Sequence, residues 1–220
     1  MRDLIQKKYS PTTGNTFLLV LVFFTIFLVP IFPIAMHRLI YNISYTLIFI
    51  LAILSIERER NTVLWIAIIA TLTGWIAYAF RMPLLIAASQ GVNILFFTLV
   101  VIKMIAQIAR TKEVNARVIV EAINGYLLLG MIFSIIIAFI ALYYPEAYNF
   151  AAKDPLFDPL ISHGSDYIYY TFVTFTTLGY GDIVPNMPIT KSLATLISIC
   201  GQIYLAIIIA MLVGKFATKN

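Results

Sequence analysis

The sequence predicts an all-α membrane protein with six transmembrane helices and a shorter helix that enters the membrane without crossing it. Of its 220 residues, 61% are hydrophobic and only 11% are charged, whereas soluble domains carry about 25% charged residues. Apolar runs of about twenty residues, the length that a bilayer requires, recur along the chain. The stretch TFTTLGYGDIVP (Thr174–Pro185) departs from this pattern, since it is rich in small and polar residues.

Prolines and charged residues mark the ends of the spans. Pro30 and Pro33 lie at the outer end of the first span, the tetrad ERER follows the second, and Pro145 ends the fifth. The predicted spans are Thr16–Met36, Leu39–Ile56, Val63–Phe80, Leu84–Ala109, Val118–Tyr144 and Pro188–Phe216. The first apolar stretch exceeds the 7–15 residues, roughly, of a signal-peptide core, so we interpret it as a spanning helix.

The long segment between the fifth and sixth spans has two parts. The first part contains three prolines and four charges, and we expect an exposed loop. The second part begins near Asp166 with DYIYYTFVTFTT, for which Ser165 or Asp166 would be the N-cap. A helix of about twelve residues is too short to cross a bilayer, so we expect it to enter and stop.

The distribution of Lys and Arg predicts the orientation. With span ends assigned alternately, ten basic residues lie on one side: Arg2, Lys7, Lys8, Arg58, Arg60, Arg110, Lys112, Arg117, Lys215 and Lys219. Four lie on the other: Arg38, Arg81, Lys153 and Lys191. We expect the first side to be cytoplasmic, with both termini inside and the chain in the plasma membrane. The net charge of +5 reflects this topology and does not indicate nucleic-acid binding.

The polar stretch has the chemistry of a cation site built from backbone. Non-helical backbone at membrane depth must be buried in protein or line a watery cavity. Gly179 and Gly181 accept positive φ angles, and their alternation with Leu178 and Tyr180 lets successive carbonyls point the same way. Thr177 adds a hydroxyl. Hard cations prefer such oxygen ligands.

The motif TTLGYGD resembles the selectivity filter of potassium channels, TVGYG, with Leu178 in place of Val. The resemblance implies a homotetramer whose four chains each supply one filter strand around K⁺. It also implies a four-helix, sensor-like domain over residues 1–110 and a pore domain over residues 111–220. The implied ion-site residues are Thr177, Leu178, Gly179 and Tyr180, with Gly181 at the outer mouth.

The same resemblance implies which residues support the filter: Thr176, Tyr169, Tyr170 and Asp182. Tyr169 stands where the family often has Trp, and its hydroxyl could bind Asp182. Tyr180 would point away from the ions and brace the filter against the pore helix. Val173 stands where some relatives have Glu, which leaves the Tyr169–Asp182 contact as the main polar brace.

The fourth span lacks the arginine ladder of voltage-sensing relatives. It contains Lys103 and, at its inner end, Arg110. Lys103 can extend toward the cytoplasmic interface, with a gating role as the alternative. We expect weak or absent intrinsic voltage sensing.

The sixth span contains the candidate gating residues. Gly201 matches the family's hinge glycine, although close helix packing is the alternative. Gln202 could face the cavity below the filter. Ile208, Met211 and Leu212 could form a hydrophobic constriction. We expect the gate to respond to lipid, pH, ions, the filter or a regulatory subunit.

The remaining cysteine and histidine residues do not indicate a functional site. Cys200 is expected to be buried and structural, and His37 and His163 to be solvated in outer loops. The sequence shows no catalytic constellation, so we expect no enzyme and no cofactor, with K⁺ as the permeant ion. A poorly selective cation channel and a non-conducting regulatory subunit are the alternatives.

Overall fold

The computed structural model describes residues 11–56, 60–80, 83–111, 113–150 and 164–217. Most of these residues lie in seven helices. They are α1 (Pro11–Phe23), α2 (Ile34–Ser55), α3 (Arg60–Phe80), α4 (Pro83–Arg110), α5 (Ala116–Tyr143), α6 (Gly164–Phe175) and α7 (Pro188–Ala217). A π-helical turn, Phe24–Leu28, and a 3₁₀ turn, Val29–Ile31, extend α1. A second 3₁₀ turn, Pro145–Ala147, follows α5.

Five helices in the described part of the chain are long and apolar enough to cross a membrane. They lie within Thr13–Ile31, Ile34–Ser55, Leu84–Arg110, Ala116–Tyr143 and Pro188–Lys215. The helix α3 has 21 residues, and its apolar part, Val63–Ala77, is shorter. The all-α membrane fold expected from the sequence is confirmed.

The boundary between the first two spans differs from the predicted one. The first helix ends at Ile31 and α2 already begins at Ile34. Pro33 caps α2, and Phe32 before it is extended, because proline disfavours a helical conformation in the preceding residue. His37 therefore lies inside α2, and the prediction of a solvated loop histidine is wrong. Its side chain is 3% exposed, with Nε2 2.7 Å from the carbonyl oxygen of Phe32.

The helix α5 is the centre of the packing. Both α1 and α4 lie against it, and α6 packs between α5 and α7. One buried cluster extends from the first four helices into α5 and α7, from Leu18 through Phe96 to Ile208. A second cluster lies among α5, α6 and α7 around Phe175. The division at residue 110 stays a prediction, since the first cluster runs across it.

Candidate functional site: the filter segment and its supports

The helix α6 packs on α5 and holds residues 176–182, which we call the filter segment. Phe175, its last residue, is fully buried, with its ring centroid 4.7 Å from that of Tyr126. A Cβ at Gly130 would lie 2.5 Å from Phe172 Cζ, so glycine is required for this close approach. The helix starts at Gly164, one residue before the predicted N-caps. Ser165 and Asp166 therefore lie in its first turn, where the Asp166 carboxylate is favoured by the helix dipole.

The filter segment caps the C-terminus of α6 with its own backbone. The amides of Leu178 and Gly179 both donate to the Val173 carbonyl, at 3.0 and 3.1 Å. The amide of Thr177 donates to the Thr174 carbonyl at 3.0 Å. These bonds satisfy carbonyls that a helix end leaves without partners. Val173 thus supports the filter through its backbone, a role that its apolar side chain did not suggest.

Positive φ angles occur at every second residue of the motif. They are 61° at Thr177, 59° at Gly179 and 78° at Gly181, and no other described residue has a positive φ. Where left-handed residues alternate with right-handed ones, successive carbonyls come to one side of a strand. Thr177 is the unexpected member, since a β-branched residue rarely adopts this conformation. The sequence indicated the two glycines and gave no sign of Thr177.

Asp182 and Tyr169 form the outer brace expected from the sequence. The Tyr169 hydroxyl donates to Asp182 Oδ2 at 2.7 Å. This hydrogen bond lowers the pKa of the Asp182 carboxyl from its usual value of 3.8. The carboxylate is therefore ionised at neutral pH, and the bond is charge-assisted.

Asn149 forms a second brace that sequence reasoning missed. Its side-chain oxygen accepts from the Val184 amide, and its Nδ2 donates to the Asp182 carbonyl at 3.3 Å. Its amide donates to the Val184 carbonyl at 3.3 Å. An asparagine 33 residues before Asp182 in a polar loop carries no local signal of such a contact.

The segment after α5 is joined to the segment before α7. Tyr148 and Pro185 form an antiparallel bridge. The Asn186 amide donates to the Ala147 carbonyl at 2.9 Å, and the Asn186 side chain donates to the Glu146 carbonyl at 3.1 Å. These bonds join the segment that follows Asp182 to the segment that follows α5.

The remaining predicted support residues lie in different environments. Thr176 donates its hydroxyl to the Phe172 carbonyl at 2.7 Å, which continues the cap of α6. Tyr170 is buried with its ring edge-on to Tyr148, 5.1 Å between centroids, so it packs against the outer segment. Tyr180 is 67% exposed in the single chain, and Leu178 is also exposed. The brace of Tyr180 against the pore helix stays a prediction.

The filter strand is open on one side. Residues 176–182 are all exposed, and a Cβ at Gly179 or Gly181 would meet nothing within 4 Å. One chain thus supplies a row of backbone groups and leaves the facing side uncovered.

Comparison with known proteins agrees with this geometry. Residues 156–218 match a family model described as "Ion channel". These residues are similar to an ion-channel domain. The A-type voltage-gated potassium channel KCND3 of Rattus norvegicus is 32% identical over 93 residues, as are those of Oryctolagus cuniculus and Homo sapiens. The aligned region covers 42% of this chain and 13% of each relative. No solved structure matches significantly. Part of this chain is therefore similar to ion channels, and the curated relatives that it matches are potassium channels.

Within the matched region, Gly201 of α7 lies against the end of α6. A Cβ at position 201 would lie 2.1 Å from the Phe175 carbonyl oxygen. Ser198, one turn earlier, donates its hydroxyl to the Thr174 carbonyl at 3.0 Å. Close packing therefore accounts for this glycine, and α7 runs unbroken from Pro188 to Ala217. The hinge stays a prediction.

The candidate gating residues divide between two faces of α7. Gln202 is exposed, as are Ile209 and Val213, which follow at helical spacing. Ile208 is buried in the first core cluster, and Met211 and Leu212 pack against that cluster. The Gln202 face is therefore the exposed face of this part of α7. The predicted constriction by Ile208, Met211 and Leu212 stays untested, but these residues face the chain's own helices.

The helices α1–α4, which we call the four-helix part, have aromatic residues at their centre. Phe49 of α2 packs against Phe96 and Phe97 of α4, with centroids 4.5 and 5.7 Å apart, and all three are buried. Neutral Gln90 and Asn93 lie earlier on α4, each with a buried side-chain oxygen. Of the other sequence predictions, Cys200 is half-buried as a free thiol. His163 lies outside the described residues.

Proposed function

We propose that this chain is the subunit of a potassium-selective channel that conducts K⁺ passively through the carbonyls of TLGYG. The observation that carries the proposal is the alternation of positive φ at Thr177, Gly179 and Gly181. This backbone presents rows of oxygens without side chains between them, which is what a dehydrated K⁺ requires. Thr177, Leu178, Gly179 and Tyr180 would contact the ion, with Gly181 at the mouth. We propose no cofactor.

The open side of the filter favours a homotetramer. A single exposed strand cannot surround an ion, and polar backbone at membrane depth needs protein or water beside it. Copies of the same chain would place four equivalent strands around one axis. The exposed side chains of Tyr180 and Leu178 would then pack between subunits.

The four-helix part favours weak or absent voltage dependence. Each elementary charge that crosses the membrane field contributes about 2.3 kcal/mol per 100 mV. In α4 the buried positions carry Phe96, Phe97 and Val100, which contribute no gating charge. We propose a plasma-membrane location with both termini cytoplasmic, on the excess of basic residues on that side.

Ion flux from purified protein in liposomes tests this function. We expect K⁺ flux well above Na⁺ flux under equal gradients and little change in open probability between −100 and +100 mV. In Gly179→Ala, a Cβ at φ 59° strains the backbone by about 1–2 kcal/mol, and selective K⁺ flux should be lost. Gly91→Ala is the matched control, since a Cβ there meets nothing within 4 Å. Equal K⁺ and Na⁺ flux would contradict selectivity, and absence of flux would favour a non-conducting subunit.

A further inference from the structure

A buried carboxylate on α5 joins α1 and α4 to α5. Glu121, near the start of α5, is 1% exposed. Its Oε1 accepts from Asn15 Nδ2 of α1 at 2.8 Å and from Gln107 Nε2 of α4 at 2.7 Å. Arg117, one turn earlier on α5, donates its Nε at 2.8 Å. Three elements of the chain therefore meet on a single oxygen.

The chemistry of this junction indicates a built interface. A buried carboxylate without partners is costly by several kcal/mol, and Arg117 supplies the opposite charge. The other donors come from two other helices, 106 residues away for Asn15 and 14 residues away for Gln107. Asn124, one turn after Glu121, also donates to the backbone carbonyl of Asn15 at 2.9 Å. Removal of α1 from α5 would deprive Glu121 and Asn124 of their Asn15 contacts, and removal of α4 would deprive Glu121 of Gln107.

The junction continues to the inner helix. Ala122 is the residue after Glu121, and its carbonyl accepts from the Tyr204 hydroxyl of α7 at 2.9 Å. A Cβ at Gly125 would lie 2.2 Å from that hydroxyl, so only glycine leaves room for it. Closer to the cytoplasmic end of α7, Lys215 donates to the carbonyls of Ile108 and Ala109 at the end of α4. Both contacts connect α7 with the helices of its own chain.

We propose that Glu121 is a positioning residue through which α1 and α4 of each subunit act on α7 of the same subunit. Five residues, 111–115, connect α4 to α5. This short connection and the Glu121 contacts together keep the four-helix part on its own subunit's pore unit. Tyr204 then couples the inner helix α7 to α5, and Lys215 couples it to α4. A test of this proposal by current recording rests on the proposed channel function, whereas a test by disulfide cross-linking does not.

The electrical arm is a double-mutant cycle between Gln107→Leu and Tyr204→Phe. Tyr204→Phe removes only the hydroxyl and keeps the ring beside Tyr126. We expect each variant to change open probability while single-channel conductance and selectivity stay unchanged. The fold-change in open probability of the double variant should differ from the product of the two single fold-changes by at least about twofold. This is the smallest interaction expected for residues in one network. An effect equal to the product contradicts the coupling.

A matched control separates coupling from loss of a buried polar group. Ser134→Ala removes a buried hydroxyl of α5 that bonds only locally in the described structure, to the Met131 carbonyl at 3.0 Å. It should leave open probability unchanged. An equal shift in Ser134→Ala would assign the effects to general destabilisation and overturn the proposal.

The geometric arm uses a disulfide and needs no current. Asn15→Cys and Asn124→Cys are combined in a Cys200→Ser background and oxidised in the membrane. We expect a non-reducing gel to show a monomer band with blocked thiols. Dimers, or a monomer with free thiols, contradict the placement within one subunit. If the unmodified protein carries no current in any condition, the proposed function fails and the gel alone decides the junction.

Discussion

The Tyr169 hydroxyl and Asp182 Oδ2 lie 2.7 Å apart and connect the pore helix to the outer end of the filter. Tyr169→Phe removes this bond and keeps the ring. We expect a several-fold shorter conducting time before the filter closes, because the outer end of the strand is less fixed. Single-channel recordings in symmetrical K⁺ measure this, with Tyr143→Phe at the end of α5 as the control. Unchanged open durations would show that the bond does not support conduction.

The lowered pKa of Asp182 predicts how the outer mouth responds to pH. The ionised carboxylate is the form that accepts from Tyr169, so its stabilising contribution is complete above the usual value of 3.8. It is lost as pH falls through the lower pKa of the folded state. We therefore expect K⁺ current to stay constant between an external pH of about 8 and one of about 5. It should decline only at lower pH. In Tyr169→Phe the decline should begin at higher pH, and an identical titration in both proteins would contradict the assignment.

Gly201 and Gly214 offer a matched pair on one helix. In Gly201→Ala the new Cβ would lie 2.1 Å from the Phe175 carbonyl oxygen, and in Gly214→Ala it meets nothing within 4 Å. We expect Gly201→Ala to destabilise the pore by about 1–3 kcal/mol through overpacking and to reduce K⁺ flux strongly. Gly214→Ala should be tolerated. Thermal unfolding in detergent and liposome flux measure both, and equal tolerance at the two positions would contradict the close packing.

Asn149 should matter more than its loop position suggests. Asn149→Ala removes the side-chain bonds to the Val184 amide and the Asp182 carbonyl. We expect the outer mouth to loosen, which should speed filter closure at low external K⁺. Asn186→Ala is the control, since it removes a bond in the same paired segment, to the Glu146 carbonyl. Similar kinetics in both variants would mean that the segment pairing, and not Asn149, supports the filter.

Much of the fold followed from composition and run length, because a bilayer restricts the chain to long apolar helices. The Tyr169–Asp182 contact followed from the motif. The exact boundary near Pro33 did not, since two prolines close together leave several helix ends compatible with the sequence. Contacts distant in sequence, such as those of Asn149 and Glu121, also did not follow. The sequence of α7 did not predict which face of the helix is buried, because the helix is apolar all round.

Thr177 shows a limit of a different kind. A glycine in the sequence suggests a positive φ, whereas a threonine does not. The conformation of Thr177 is therefore imposed by the cap on α6 and not by the preference of threonine. The role of Val173 was missed for a related reason. Its contribution is a carbonyl oxygen, and every residue has one, so no side-chain pattern could reveal it.

The filter strand has a consequence for biosynthesis, since it is exposed along its whole length in one chain. An isolated copy inserted in a membrane would hold bare polar backbone at a depth where lipid offers no hydrogen bonds. The folded filter would then depend on encounters between copies, and its yield would rise with the density of the protein in the membrane. Sparse expression would leave inserted but immature chains, a state that quality-control proteases could recognise by the same exposed strand.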